Sequence, residues 1–117
     1  MQLQATASKL RAELSAKPFD PPSREQLAPD AVFRQALRFM IQAGEAVEIN
    51  EDVVMGAEHL KRATELIREF IRSHGPATVS ELRQMLGSSR RVTLPLLLRL
   101  DREGVIARLG DKRILQK

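Results

Sequence analysis

Apolar residues fall at helical spacing along the longer stretches of this chain and alternate with polar ones in two short stretches. Leu3, Ala7, Leu10 and Leu14 lie three or four residues apart, which places them on one face of a helix. Pro18, Pro21 and Pro22 end it. Ser23 followed by Gln26 has the spacing of a capping box and opens a short helix. Asp30 is suited to cap a longer one, with Val32, Phe33, Leu37, Met40 and Ile41 on one face and Gly44 as its stop. Glu45 to Ile49 alternates, Asn50-Glu51 turns, and Asp52 to Met55 returns as a hairpin. The most regular helix follows, from about Ala57 to Ser73, with a stripe of Leu60, Ala63, Ile67, Phe70 and Ile71. His74-Gly75-Pro76 stops it. Thr78 and Glu81 form a second capping box, opening a short helix closed by Gly87. Ser88-Ser89-Arg90-Arg91 leads into a third helix ending near Gly104. Val105 to Leu109, the turn Gly110-Asp111, and Lys112 to Leu115 give a second hairpin. Pro95 fits this third helix in two ways. It lies harmlessly in the first turn if Thr93 is the cap, or it deprives the Arg91 carbonyl of a donor if the helix starts at Ser89.

The two halves repeat one plan of long helix, short helix, long helix and hairpin. Gly44 stands six residues before Asn50, and Gly104 six before Gly110. Three helices followed by a two-stranded wing is the winged-helix variant of helix-turn-helix, in which the third helix and the wing make the contacts. The expected fold is therefore mainly α with small β-hairpins (α+β): two tandem winged-helix domains, residues 1–55 and 56–117.

Composition sharpens this picture through charge. The net +4 is divided unevenly. Residues 1–55 carry six Lys/Arg against eight acids, a balance of −2, while residues 56–117 carry thirteen against seven, a balance of +6. Such asymmetry points to a polyanion partner for the second half alone. Aromatics make up only 3%, so a base-stacking platform would have to use Phe, His or Arg planes. No cysteine is present, which removes disulfides and thiolate sites. No apolar run approaches a membrane span and the N-terminus has no signal-peptide core, so a cytoplasmic monomer without a membrane partner is expected.

Because the halves share a plan, the first is a control for the second. Its wing carries Glu45, Glu48, Glu51 and Asp52 and would repel phosphate. The second wing carries Arg108, Lys112 and Arg113 with the turn Gly110-Asp111, and would attract it. Arg90 and Arg91 stand at a helix start, where backbone amides point outward, and Ser88 and Ser89 add hydroxyl donors. The arginine fork suits phosphate oxygens and base edges. Period two places Lys112 and Arg113 on opposite strand faces, so one of them joins Arg108 toward a ligand. Arg99 and Arg102, beside Asp101 and Glu103, read as a solvated helix face.

Chemistry of other kinds is poorly represented. His59 and His74 are too far apart to suggest a metal site; His74 suits a helix C-terminus, and His59 is expected to be exposed. No GxxxxGK[ST] loop occurs, so no nucleotide cofactor is expected in this chain. Glu51-Asp52 reads as a hairpin turn, and an enzyme is the least favoured class.

The run Leu86-Gly87-Ser88-Ser89-Arg90-Arg91, with Leu94-Pro95-Leu96-Leu97, Leu100-Asp101-Arg102 and Arg108 to Leu115, resembles the C-terminal end of the bacterial selenocysteine-specific elongation factor family, SelB. Weaker similarity reaches back through Gly44-Glu45-Ala46-Val47 and the Asn50-Glu51-Asp52 hairpin. The resemblance implies a fragment spanning the last two of four winged-helix domains, the final one holding the selenocysteine insertion hairpin of the mRNA. The GTPase region, with GTP and Mg²⁺, would lie elsewhere in the parent protein and serve selenocysteinyl-tRNA and the ribosome. It also implies contacts from Arg90, Arg91, Arg108 and the Gly110-Asp111-Lys112-Arg113 wing to the hairpin backbone and an unpaired base. The family often has an aromatic residue after the second basic position, where this chain has Val92. The competing functions are a DNA-reading winged-helix regulator, since winged helices commonly bind DNA, and a protein-docking module in the acidic first half.

Overall fold

The structure is a computed structural model describing residues 2–116, with side chains from Gln4 onward. The Leu3 side chain, placed above on the first apolar stripe, lies outside the described set. The chain forms two compact units, one ending at Leu60 and the other beginning at Lys61.

The first unit contains α1 (Gln2–Ala16), α2 (Arg24–Leu27), α3 (Ala31–Gln42), β1 (Ala46–Glu48) and β2 (Val54–Gly56). Ala7, Leu10 and Leu14 of α1 meet Ala36, Leu37 and Met40 of α3 in a buried core closed by Leu27, Ala46 and Val54. Local chemistry sets the boundaries. The Ser23 hydroxyl accepts from the Gln26 N–H while the Gln26 side chain accepts from the Ser23 N–H, a complete capping box. Asp30 caps α3 by accepting from the Phe33 N–H at 3.0 Å. β1 and β2 pair antiparallel, Val47 opposite Met55. Their turn is closed by the Asn50 side chain, whose Oδ1 accepts from the N–H groups of Asp52 (2.9 Å) and Val53 (2.7 Å).

Between the strands and the second unit's short elements runs α4 (Ala57–His74). The second unit then adds β3 (Ala77–Thr78), α5 (Val79–Leu86), α6 (Arg90–Arg102), β4 (Ile106–Leu109) and β5 (Lys112–Leu115). Ala63, Ile67 and Ile71 of α4 are buried, together with Leu82, Leu86, Val92, Leu96, Leu97, Leu100 and Ile106. Thr78 and Glu81 complete the second capping box, and the αL residue Gly87 closes α5. His74 behaves as a C-terminal group: its Nδ1 lies 3.1 Å from the Phe70 carbonyl and its ring stacks on Phe70 with centroids 4.2 Å apart.

The two units end their third helices by the same device. In the first, Gly44 takes φ +79°, its N–H donating to the Ile41 carbonyl and that of Glu45 to the Met40 carbonyl. In the second, Gly104 takes φ +77°, with Gly104 donating to Asp101 and Val105 to Leu100. This is the Schellman pattern, in which a glycine with positive φ reverses the chain into a strand.

Three features differ from the sequence-based expectation. The second hairpin is part of a three-stranded sheet in the order β3-β5-β4, because Ala77 and Thr78 pair with Arg113 and Lys112. His59 is half-buried, not exposed. Its ring packs against Gly56, where an added Cβ would come within 2.7 Å of His59 Cδ2, and its Nε2 lies 3.3 Å from Ser15 Oγ. The alternatives for Pro95 resolve to the second: Ser89 is the N-cap, so Pro95 lies inside α6 and cannot donate to the Arg91 carbonyl.

Candidate nucleic-acid interface

α5 and α6 form a tight helical corner. Gly87 reverses the chain, and the Ser88 N–H returns to the Arg83 carbonyl at 3.0 Å. Ser89 then caps α6 through its backbone, its carbonyl accepting from the Thr93 N–H at 2.9 Å, with no side-chain cap bond. Both serines are half-buried, and Ser88 Oγ donates to the Ser89 carbonyl at 3.4 Å. Arg90 and Arg91 occupy the first two helical positions and are exposed. A face of Val92, Thr93, Leu96, Leu97 and Leu100 turns inward. Packing of that face fixes the direction in which the two arginines project. Val92, at the position where an aromatic residue is frequent in the SelB family, is fully buried. It serves the core and offers no stacking surface.

The wing is equally well determined. Two residues, Gly110 and Asp111, link Leu109 to its cross-strand partner Lys112. Positive φ occurs at Gly110 (+64°) and not at Asp111, the type II′ pattern that matches strand twist. Arg108 Nε donates to the Gly110 carbonyl at 3.1 Å, bracing the tip from one side. Arg108, Gly110, Asp111 and Lys112 are all exposed.

Arg113 requires a correction. It was grouped above with the ligand contacts, but its residue exposure is 3% and its Nε lies 3.4 Å from Asp101 Oδ2 of α6. The register pairs Arg113 with Arg108 and Ile106 with Leu115. Ile106 is buried, and alternation places Arg108 and Arg113 on its side of the sheet, where Arg113 sits over α6. A side chain so enclosed is not available to a polyanion. Lys112, the exposed member of the pair, shares the face of Leu109 and not that of Arg108, so neither residue joins Arg108 toward a ligand on a shared strand face, contrary to the expectation from alternation.

The exposed basic residues consequently form two groups. Asp101, which meets the wing, is about 16 Å along the α6 axis from Arg90. The helix start and the wing root would therefore engage different segments of a nucleic-acid backbone. Arg99 pairs with Glu103 at 3.3 Å but is half-buried, so the expected solvated helix face holds for exposed Arg102 and not for Arg99. Leu109 at the wing tip is 60% exposed and Leu98 on α6 is 48% exposed. These apolar positions were not singled out from the sequence, although alternation from buried Ile106 puts Leu109 on the outer face.

Electrostatics around the wing involve one shifted carboxylate. Glu81 is held below the ordinary glutamate range by its hydrogen bonds from the Thr78 backbone and hydroxyl, assisted by the charges of Lys112 and His74. In the first unit, the acidic hairpin pairs with its own cations: Glu45 with Arg11 and Glu48 with Arg24. The Arg11 hydrogen bond holds the Glu45 carboxyl below its usual range. Two of that unit's arginines are thus engaged by its wing. Among the described residues no His/Asp/Glu group could hold a metal ion, and no helix is long and apolar enough to cross a membrane.

Residues 69–115 match the family model described as elongation factor SelB, winged helix. The matched segment includes α5, α6 and the wing of the second unit. The selenocysteine-specific elongation factor of Desulfomicrobium baculatum is 24% identical over 83 residues, which is 71% of this chain and 13% of that protein. Among solved structures, the mRNA-binding domain of elongation factor SelB from E. coli in complex with SECIS RNA superposes with a TM-score of 0.76 and 22% identity, covering 99% of this chain and 98% of that one. The bacterial selenocysteine-specific elongation factor EF-Sec superposes with a TM-score of 0.71 and 22% identity, covering 99% of this chain and 18% of that one. By family model over residues 69–115, by sequence over 83 residues and by fold over nearly its whole length, the chain is similar to the winged-helix region of the SelB elongation factors.

Proposed function

We propose that this chain binds an mRNA stem-loop of the selenocysteine insertion (SECIS) type through its second unit. The observation that carries the reading is the pair of exposed basic points on one winged helix, Arg90 and Arg91 at the start of α6 and Arg108 and Lys112 on the wing. Ser88, Ser89 and the Gly110-Asp111 turn complete the contact set, and Arg113 is excluded by its burial. Support for RNA over DNA comes from the structural neighbour solved with SECIS RNA. In this reading the chain works in the cytoplasm as part of a longer translation factor. GTP, Mg²⁺, selenocysteinyl-tRNA and the ribosome would be engaged by that longer protein.

A mobility-shift titration with a SECIS hairpin and a length-matched DNA duplex tests the assignment. Proteins that read RNA by sequence favour unpaired loops and bulges, so the hairpin should bind and the duplex should compete poorly. Preference for the duplex would overturn the RNA reading.

A further inference from the structure

We infer that Arg113 is a positioning residue that ties the wing to α6 and so holds Arg108 and Lys112 in place for RNA. This rests on the proposed RNA-binding role of the second unit. β5 is the middle strand of its sheet, paired with β3 on one side and β4 on the other, so whatever fixes β5 fixes the whole wing. Arg113 is its most enclosed residue, and its partner Asp101 comes from the helix that also carries Arg90 and Arg91.

The chemistry of the pair is that of a register device and not of a strong staple. Arg113 Nε and Asp101 Oδ2 are 3.4 Å apart, close enough for charge attraction, yet Arg113 Nε and Asp101 Oδ1 have no hydrogen-bond partner. Desolvation offsets much of the attraction in such a pair, so its net effect on stability is small, while its effect on which arrangement is adopted is larger. The cross-strand neighbour explains why an arrangement must be selected. Arg108 stands directly opposite Arg113, and like charges in that position repel. Asp101 balances the inner arginine, which leaves Arg108 to turn toward the tip and brace the Gly110 carbonyl. Without the inner pair, β5 would lose its one polar link to α6 among the contacts described. The two cations it positions, one opposite and one adjacent, would lose a fixed spacing from the helix start.

The test pairs hydrogen exchange on the free chain with binding of a SECIS hairpin. Arg113→Met combined with Asp101→Asn removes both charges without leaving one unpaired. This variant should fold and melt close to wild type, exchange its amides from Arg108 to Lys112 faster, and bind the hairpin at least roughly five- to eightfold more weakly at 0.1 M salt, the share of one of the two phosphate contacts it positions. Adding Arg108→Ala should then cause no further loss. Wild-type exchange rates or wild-type affinity would overturn the inference. So would losses that add, since they would mark Arg113 as an independent RNA contact. If the double variant does not fold, Arg113→Lys, which keeps a cation but not the planar fork, should lie between wild type and Arg108→Ala in affinity, and equality with wild type would overturn the inference. Failure of the wild-type chain to bind the hairpin would instead overturn the proposed function, and the exchange measurement alone would then decide the role of Arg113.

Discussion

Replacing Arg90 and Arg91 together by alanine should move stability and RNA affinity in opposite directions. Both side chains are exposed at the first two positions of α6, where the positive end of the helix dipole disfavours cations. Removing two such charges should stabilise the helix by about 0.3 kcal/mol or more each at low salt. For a unit of this size that raises Tm by at least ~2 °C. In the proposed complex the same residues would each neutralise about one phosphate. Their loss should flatten the plot of log affinity against log salt by about 1.4–1.8, depending on whether the contacted RNA behaves as a single strand or a duplex. Measured from a 1 M reference, that is a roughly 25- to 60-fold weaker complex at 0.1 M salt. Fluorescence anisotropy with a labelled SECIS hairpin at four salt concentrations, beside thermal melts of both proteins, gives the two numbers. An unchanged salt slope would refute the placement of these arginines on phosphates. A fall in affinity that tracks a fall in Tm would show that they act through folding, contrary to their exposure.

Further outcomes can be set beside this one. Glu81 has a folded pKa below its unfolded value, so its contribution is present above the ordinary glutamate range and is lost as pH falls through the depressed value. Glu81→Gln keeps a capping-box partner and removes its titration, so urea midpoints of the variant should fall less steeply than wild type over the acid range, with Glu45 still contributing; parallel curves would exclude Glu81 as a source of that acid sensitivity. Gly56→Ala should destabilise the first unit by about 1–3 kcal/mol, because the new methyl meets the His59 ring; a denaturation midpoint equal to wild type would mean that His59 moves freely. Glu51→Lys on the exposed tip of the first hairpin should leave hairpin-RNA affinity within about twofold of wild type if that unit does not face the RNA. A large gain or loss would place the first unit in the interface.

Much of this architecture was legible in the residues because the responsible interactions are local. Each capping box needs a hydroxyl and a carboxamide or carboxylate three positions apart, and each helix stop needs a glycine beside it, so Ser23–Gln26, Thr78–Glu81, Gly44 and Gly104 could be read directly. Two-residue β3 could not, since Ala77-Thr78 is too short to display a period and exists only because β5 lies beside it. The facing of Arg113 was left open by alternation alone. Combined with the two-residue turn, however, buried Ile106 settles it: the turn sets Arg108 opposite Arg113, and both share the Ile106 side. His59 and Val92 show the opposite limit. Their burial depends on tertiary neighbours, Gly56 and Ser15 for one and the packed face of α6 for the other.

β3 also bears on the order in which the second unit assembles. The β4–β5 pairing closes over a two-residue turn, whereas Ala77 finds Arg113 only after α5, α6 and β4 have been spanned. Closing that longer loop costs more chain entropy and returns only two residues of pairing. The helical corner and the wing should therefore form first, with β3 joining after the rate-limiting step. A weakening substitution such as Ala77→Gly would then accelerate unfolding while leaving the folding rate nearly unchanged. A stopped-flow chevron in which the folding limb shifts instead would place this small strand in the nucleus.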